Sequence, residues 1–72
     1  MISELRNKMI TETVYLLNTY EKIVLRREPG PNGNFFARFT GVPEYPIKKS
    51  SEIVVEALFE GKELTREEYE NY

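Results

Sequence analysis

The chain has 72 residues, and its 10 bases against 12 acids leave a net charge of −2. A domain this small buries only about 60% of its unfolded surface, so a partner is a natural source of further stability. It contains no Cys, His, Trp, Asp or Gln, and every acid is Glu, which removes thiolate nucleophiles, the usual zinc ligands and any imidazole base titrating near neutrality. The expectation is a non-catalytic protein with no cofactor and no metal site.

The start, Met1-Ile2-Ser3-Glu4, has no basic run leading into a short apolar core, and no stretch reaches the roughly 18 apolar residues of a membrane span. The chain therefore reads as a single small domain over residues 1–72, cytoplasmic and without membrane attachment.

Along Ile2 to Tyr20, residues Ile2, Leu5, Met9, Leu16 and Tyr20 share one side of a helical projection, and Ile10, Val14 and Leu17 widen the stripe. This spacing predicts a first helix over the whole stretch. Thr13-Val14-Tyr15 consists of β-favouring types, but Leu16-Leu17 interrupts the alternation of a half-buried strand.

Next come two β-rich runs, Ile23-Val24-Leu25 and Phe35-Phe36-Ala37-Arg38-Phe39, separated by Glu28-Pro29-Gly30-Pro31-Asn32-Gly33-Asn34. Two prolines cannot continue a ladder, and Asn-Gly suits the positive φ of a tight connection, so a hairpin is predicted, with a positive φ in Asn32-Gly33. With Glu28 facing Asn34, the register pairs Ile23 with Phe39, Leu25 with Ala37 and Arg27 with Phe35. The opposite face pairs Val24 with Arg38 and Arg26 with Phe36, and is expected to meet solvent.

Gly41 to Pro46 holds two prolines and reads as extended, with a short edge strand around Ile47. Ser50 or Ser51 caps a second helix ending near Glu60, which Gly61 is placed to close in the left-handed conformation. On this helix Ile53, Val54, Ala57 and Leu58 form the core face. Val55 and Phe59 lie opposite, and Glu52, Glu56 and Glu60 make an acidic stripe. Leu64-Thr65-Arg66-Glu67-Glu68-Tyr69 carries the marks of a short third helix, with Thr65 as N-cap, Glu68 returning to its amide and Leu64 meeting Tyr69. The fold class is α+β: helix, antiparallel β-hairpin, Pro-rich connection, helix, short C-terminal helix, in two layers and αββαα order.

Charge is uneven: residues 1–20 sum to zero, 21–49 to +3 and 50–72 to −5. Two surfaces follow. The first is the outer side of the second helix, where Val55, Phe59, Glu52, Glu56 and Glu60 suit a protein interface, either a homodimer through two copies of this helix or an acidic strip docking a basic partner. Its plainer readings are compensation of the glutamates by Lys48, Lys49 or Lys62, and burial of Phe59 under Leu64, Tyr69 and Tyr72. The second surface is the hairpin face with Lys22, Arg26, Phe36 and Arg38, whose cations and ring suit single-stranded nucleic acid, although ordinary solvated charges on a sheet would look the same. The functional expectation is a protein-interaction or regulatory module of the kind found among small bacterial and phage accessory proteins, with nucleic-acid binding as the alternative.

Overall fold

The computed structural model describes residues 2–72. In chain order the elements are α1 (Ile2–Thr11), β1 (Val14–Asn18), β2 (Ile23–Arg27), β3 (Phe35–Arg38), β4 (Tyr45–Ile47), α2 (Glu52–Glu60), β5 (Lys62–Leu64) and α3 (Arg66–Glu70). The strands form one antiparallel sheet in the order β4-β3-β2-β1-β5. The protein is α+β as expected, but the hairpin is the centre of five strands, and the αββαα order is corrected accordingly.

The largest departure lies at Val14–Asn18, where the predicted long helix is instead a short helix followed by a strand. Val14, Leu16 and Asn18 are buried, and Tyr15 and Leu17 are half-buried on the other side. The Leu16-Leu17 doublet hid this alternation because both faces of β1 are covered, and a strand buried on two sides loses its polar positions. Leu16 joins the cluster of Val14, Ile23, Leu25, Phe35, Ala37, Val54 and Ala57, against which Leu5 and Met9 of α1 and Ile53 and Leu58 of α2 pack. Leu17 and Tyr15 pack on the opposite side against Val24, Leu64, Tyr69 and Tyr72.

The architecture is therefore three layers, with α1 and α2 on one face of the sheet and α3 on the other. The second hairpin face is not the solvent face, since Val24 is completely buried there. The expected register is the one observed, with Val24 opposite Arg38, Leu25 opposite Ala37, Arg26 opposite Phe36 and Arg27 opposite Phe35. The Glu28 amide donates to the Asn34 carbonyl at 3.0 Å.

The connection turns differently from expectation. Its positive φ falls at Gly30 (113°), not in Asn32-Gly33. Gly33 is required by proximity instead, because a Cβ there would sit 1.9 Å from the Glu28 carbonyl oxygen. Arg27 is buried beneath this loop, donating to the carbonyls of Met9 (2.7 Å), Glu28 (3.1 Å) and Gly30 (3.0 Å). One guanidinium thus ties the C-terminal end of α1 to the hairpin connection, where a cation also complements the helix dipole.

Ser51 is the N-cap of α2, with no side-chain cap bond, and Gly61 ends the helix in extended rather than left-handed backbone (φ −78°, ψ −179°). The chain can then pass straight into β5, which pairs with β1. For α3 the expected capping box is present: the Glu68 amide donates to the Thr65 hydroxyl at 3.1 Å, and the Thr65 amide to the Glu68 carboxylate at 2.9 Å. At the other sheet edge Pro46 leaves β4 without one backbone donor, which blunts that edge against strand addition.

Candidate protein-docking face on helix α2

Helix α2 buries Val54 and Ala57 against β1 and the centre of the sheet, and half-buries Ile53 and Leu58. At about 100° per residue this leaves Val55, Phe59 and the three glutamates facing outward. Phe59 is 68% exposed and Val55 41%, so a large ring projects into solvent from a rigid element. The predicted cover for it is absent: Leu64, Tyr69 and Tyr72 lie in the cluster on the far side of the sheet.

Two of the three stripe carboxylates are held by hydrogen bonds. Tyr20 Oη donates to Glu60 Oε2 at 2.7 Å, and Asn18 Nδ2 donates to Glu56 Oε1 at 3.3 Å. Both donors are neutral. Among the described residues the ion pairs are Lys8–Glu63, Arg26–Glu44 and Arg66–Glu70, and none involves Glu52, Glu56 or Glu60. Compensation by Lys48, Lys49 or Lys62 is thus not what the structure contains. Asn18 was not anticipated as a site residue. It is fully buried in β1, donates at 2.8 Å to the Ile53 carbonyl, and accepts from the Tyr20 and Glu21 amides, each at 2.9 Å. An Asn among strand-forming residues just before a turn was its only sequence signal.

Around the helix, the Val55–Phe59 ridge separates two features. On one side runs the acidic stripe, toward the β1–β2 turn. On the other lies a groove between α1 and α2: one part, of about 230 Å³, is lined by Glu4, Leu5, Lys8, Leu58 and Phe59 among others, and an adjoining part, of about 180 Å³, by Leu5, Arg6, Met9, Leu58 and Phe59. Lys8 and Glu63 meet across the larger part in a salt bridge. A wider depression of about 680 Å³ lies elsewhere, over Phe36, Pro46 and Ile47, with Lys48 and Lys49 on its rim.

The alternative surface is drawn together but largely satisfied from within. Arg26 donates from Nε and Nη2 to the two carboxylate oxygens of Glu44, at 2.9 and 2.7 Å, while its guanidinium lies 4.5 Å from the centre of the Phe36 ring. Arg38 donates to the Tyr69 carbonyl and stacks 4.7 Å over that ring. Lys22 sits away from them in the β1–β2 turn, with a positive φ of 55°. The Arg26 bond holds the Glu44 carboxyl below the usual carboxylate range, and burial with the Glu44 hydrogen bond pushes the Tyr69 phenol up to about 12. Both arginines of this face are thereby committed to internal partners.

No helix among the described residues is long and apolar enough to cross a membrane, and no group of metal-ligating side chains gathers among them. What the fold and surface define is a small α+β domain that presents a charged, apolar helix face outward.

No protein-family model and no curated protein sequence matches the chain. Among solved structures it is similar to a chain of the crystal structure of the complex between the type VI effector Tas1 and its immunity protein, at 31% identity and a TM-score of 0.69. The match covers 82% of this chain and 79% of that one, so the two are of nearly equal length. The protein belongs to the same family as that chain.

Proposed function

We propose that this protein is an immunity protein, a non-catalytic module that neutralises a type VI effector by binding it. The observation carrying this reading is the 31% identity, spread over most of both chains, to a chain of an effector–immunity complex. The near-equal length of the two chains supports the assignment, because a domain of 72 residues without His, Cys or Asp suits the binding member of such a pair better than the toxic one.

The docking surface in this reading is the outer face of α2, with Val55 and Phe59 as apolar anchors and Glu52, Glu56 and Glu60 as the charged border. Three glutamates without an internal cation select a basic partner surface. A homodimer through the same helices would bring six carboxylates together, so charge favours a different protein over a second copy. Neutralisation takes place where the effector acts, and the cytoplasm is the location proposed.

The experiment is protection. In this proposal the target is a type VI effector encoded beside this chain's gene; its toxin domain, produced in a bacterial host, should arrest growth, and co-production of this chain should restore it. Arrest that persists with the folded chain present at excess would contradict the proposal.

A further inference from the structure

The apolar ridge of α2 borders a concavity between α1 and α2. Leu5 and Met9 reach the core from α1, and Leu58 reaches it from α2, but these side chains stay only half-buried, so the seam between the two helices is open. Phe59 stands beside it as an exposed wall. The floor of the larger part is Leu16 and Ala57, both buried. Its geometry is also fixed by two tethers. Lys8 holds α1 to Glu63 of β5, and Arg27 holds the Met9 carbonyl at the helix end.

We infer that the α1–α2 groove receives an apolar side chain of the partner, inserted beside Phe59, while basic residues next to it on the partner engage the α2 glutamates. This deepens the immunity reading and rests on it. Three observations carry the choice of occupant. The groove is continuous with the Val55–Phe59 ridge, so one docked surface spans both. Its floor of Leu16 and Ala57 and its Leu5, Leu58 and Phe59 walls are apolar, and the Lys8 and Glu63 that line it are paired with each other, so it favours an apolar occupant over a charged one. The charges at the groove itself balance, Glu4 and Glu63 against Lys8 and Arg6, whereas Glu52, Glu56 and Glu60 across the ridge are in no ion pair among the described residues, so a cationic surface beside the apolar anchor is complemented from the α2 side. The groove makes α1 part of the interface, which the sequence pattern of α2 alone does not imply.

The test uses the full chain, methyl-labelled, with the purified toxin domain of the effector that it protects against in the co-production experiment as probe. On binding, the methyl groups of Leu5, Met9 and Leu58 should show intermolecular contacts to a partner side chain. Phe59→Ala should weaken binding by about 30-fold or more, the loss expected at an anchor. Glu4→Lys should weaken it several-fold, and Glu67→Lys, the same charge change on α3 across the sheet, should leave it within about two-fold. If the parent binds but the Leu5 and Met9 methyls are unperturbed while Val55 shifts, the groove is empty in the complex and this inference falls, with the immunity reading intact. If the parent does not bind at all, both fall.

Discussion

The Tyr69 hydroxyl, on the five-residue helix α3, donates a 2.5 Å hydrogen bond to the Glu44 carboxylate, 25 residues away on the approach to β4. A helix this short does not persist alone, so its position depends on docking. Glu44 takes the Arg26 fork at the same time, and Tyr15 meets the Tyr69 ring at 4.9 Å between centroids. The far face of the sheet is thus closed by one polar node set in an aromatic contact.

Tyr69→Phe removes the hydrogen bond and keeps the ring, and should cost about 0.5–1.5 kcal/mol. Glu44→Ala should cost more, because it strips both Arg26 and Tyr69 of their acceptor. Urea unfolding of the two variants checks the order; a Glu44→Ala variant as stable as Tyr69→Phe would contradict the node.

The same node contributes to the pH dependence of stability on both sides of neutrality. Glu44 titrates below its usual value in the folded protein, chiefly through the Arg26 bond, so its contribution is present above the unfolded carboxylate value and is lost as pH falls through the lower folded one. Tyr69 is raised from 10.0 to about 12 by burial and by the Glu44 bond; its contribution is complete below 10.0 and lost as pH rises through about 12. Melting temperature should be level between these limits and fall at both ends. Glu44→Gln should flatten the acid side, and an acid limb unchanged in that variant would exclude Glu44 as its source.

Two glycines of the hairpin connection separate conformation from space. At Gly33 an added Cβ meets the Glu28 carbonyl at 1.9 Å, whereas at Gly30 it meets nothing within 4 Å and only the φ of 113° is unfavourable. Gly33→Ala should therefore cost more than Gly30→Ala, by a margin on the order of 1 kcal/mol. Thermal unfolding of both variants tests this, and the reverse order would refute the close approach.

Asn18→Ala should destabilise by about 1–3 kcal/mol, because it removes a fully buried side chain that ties β1 to the Ile53 carbonyl of α2 and holds the Tyr20 and Glu21 amides of the β1–β2 turn. It should also weaken effector binding, since Asn18 helps hold Glu56 on the docking face. Chemical denaturation and calorimetric titration read the two effects separately.

The parts legible in the sequence were those with local or period-2 signals: the hairpin register, the Thr65–Glu68 capping box, and the core and outer faces of α2. β1 was not legible, because two-sided burial replaced its polar positions with Tyr15 and Leu17. β5 was not either, since Lys62-Glu63-Leu64 is too short to show a period and becomes a strand only by pairing with β1. The hairpin face was read as solvent because its cover, α3, arrives from the chain's far end. For the candidate site, composition supplied the outward residues, but their unpaired charge, Asn18 and the groove to α1 depend on tertiary placement.

In the proposed function the α2 face binds an effector. The decisive measurement is calorimetric titration of the parent chain and of folded Phe59→Glu against the toxin domain of the proposed effector. Stoichiometric binding by the parent, weakening as salt rises because the glutamates meet a basic surface, and its loss in Phe59→Glu is the predicted result. Equal affinity of parent and variant, with both folded, would contradict it.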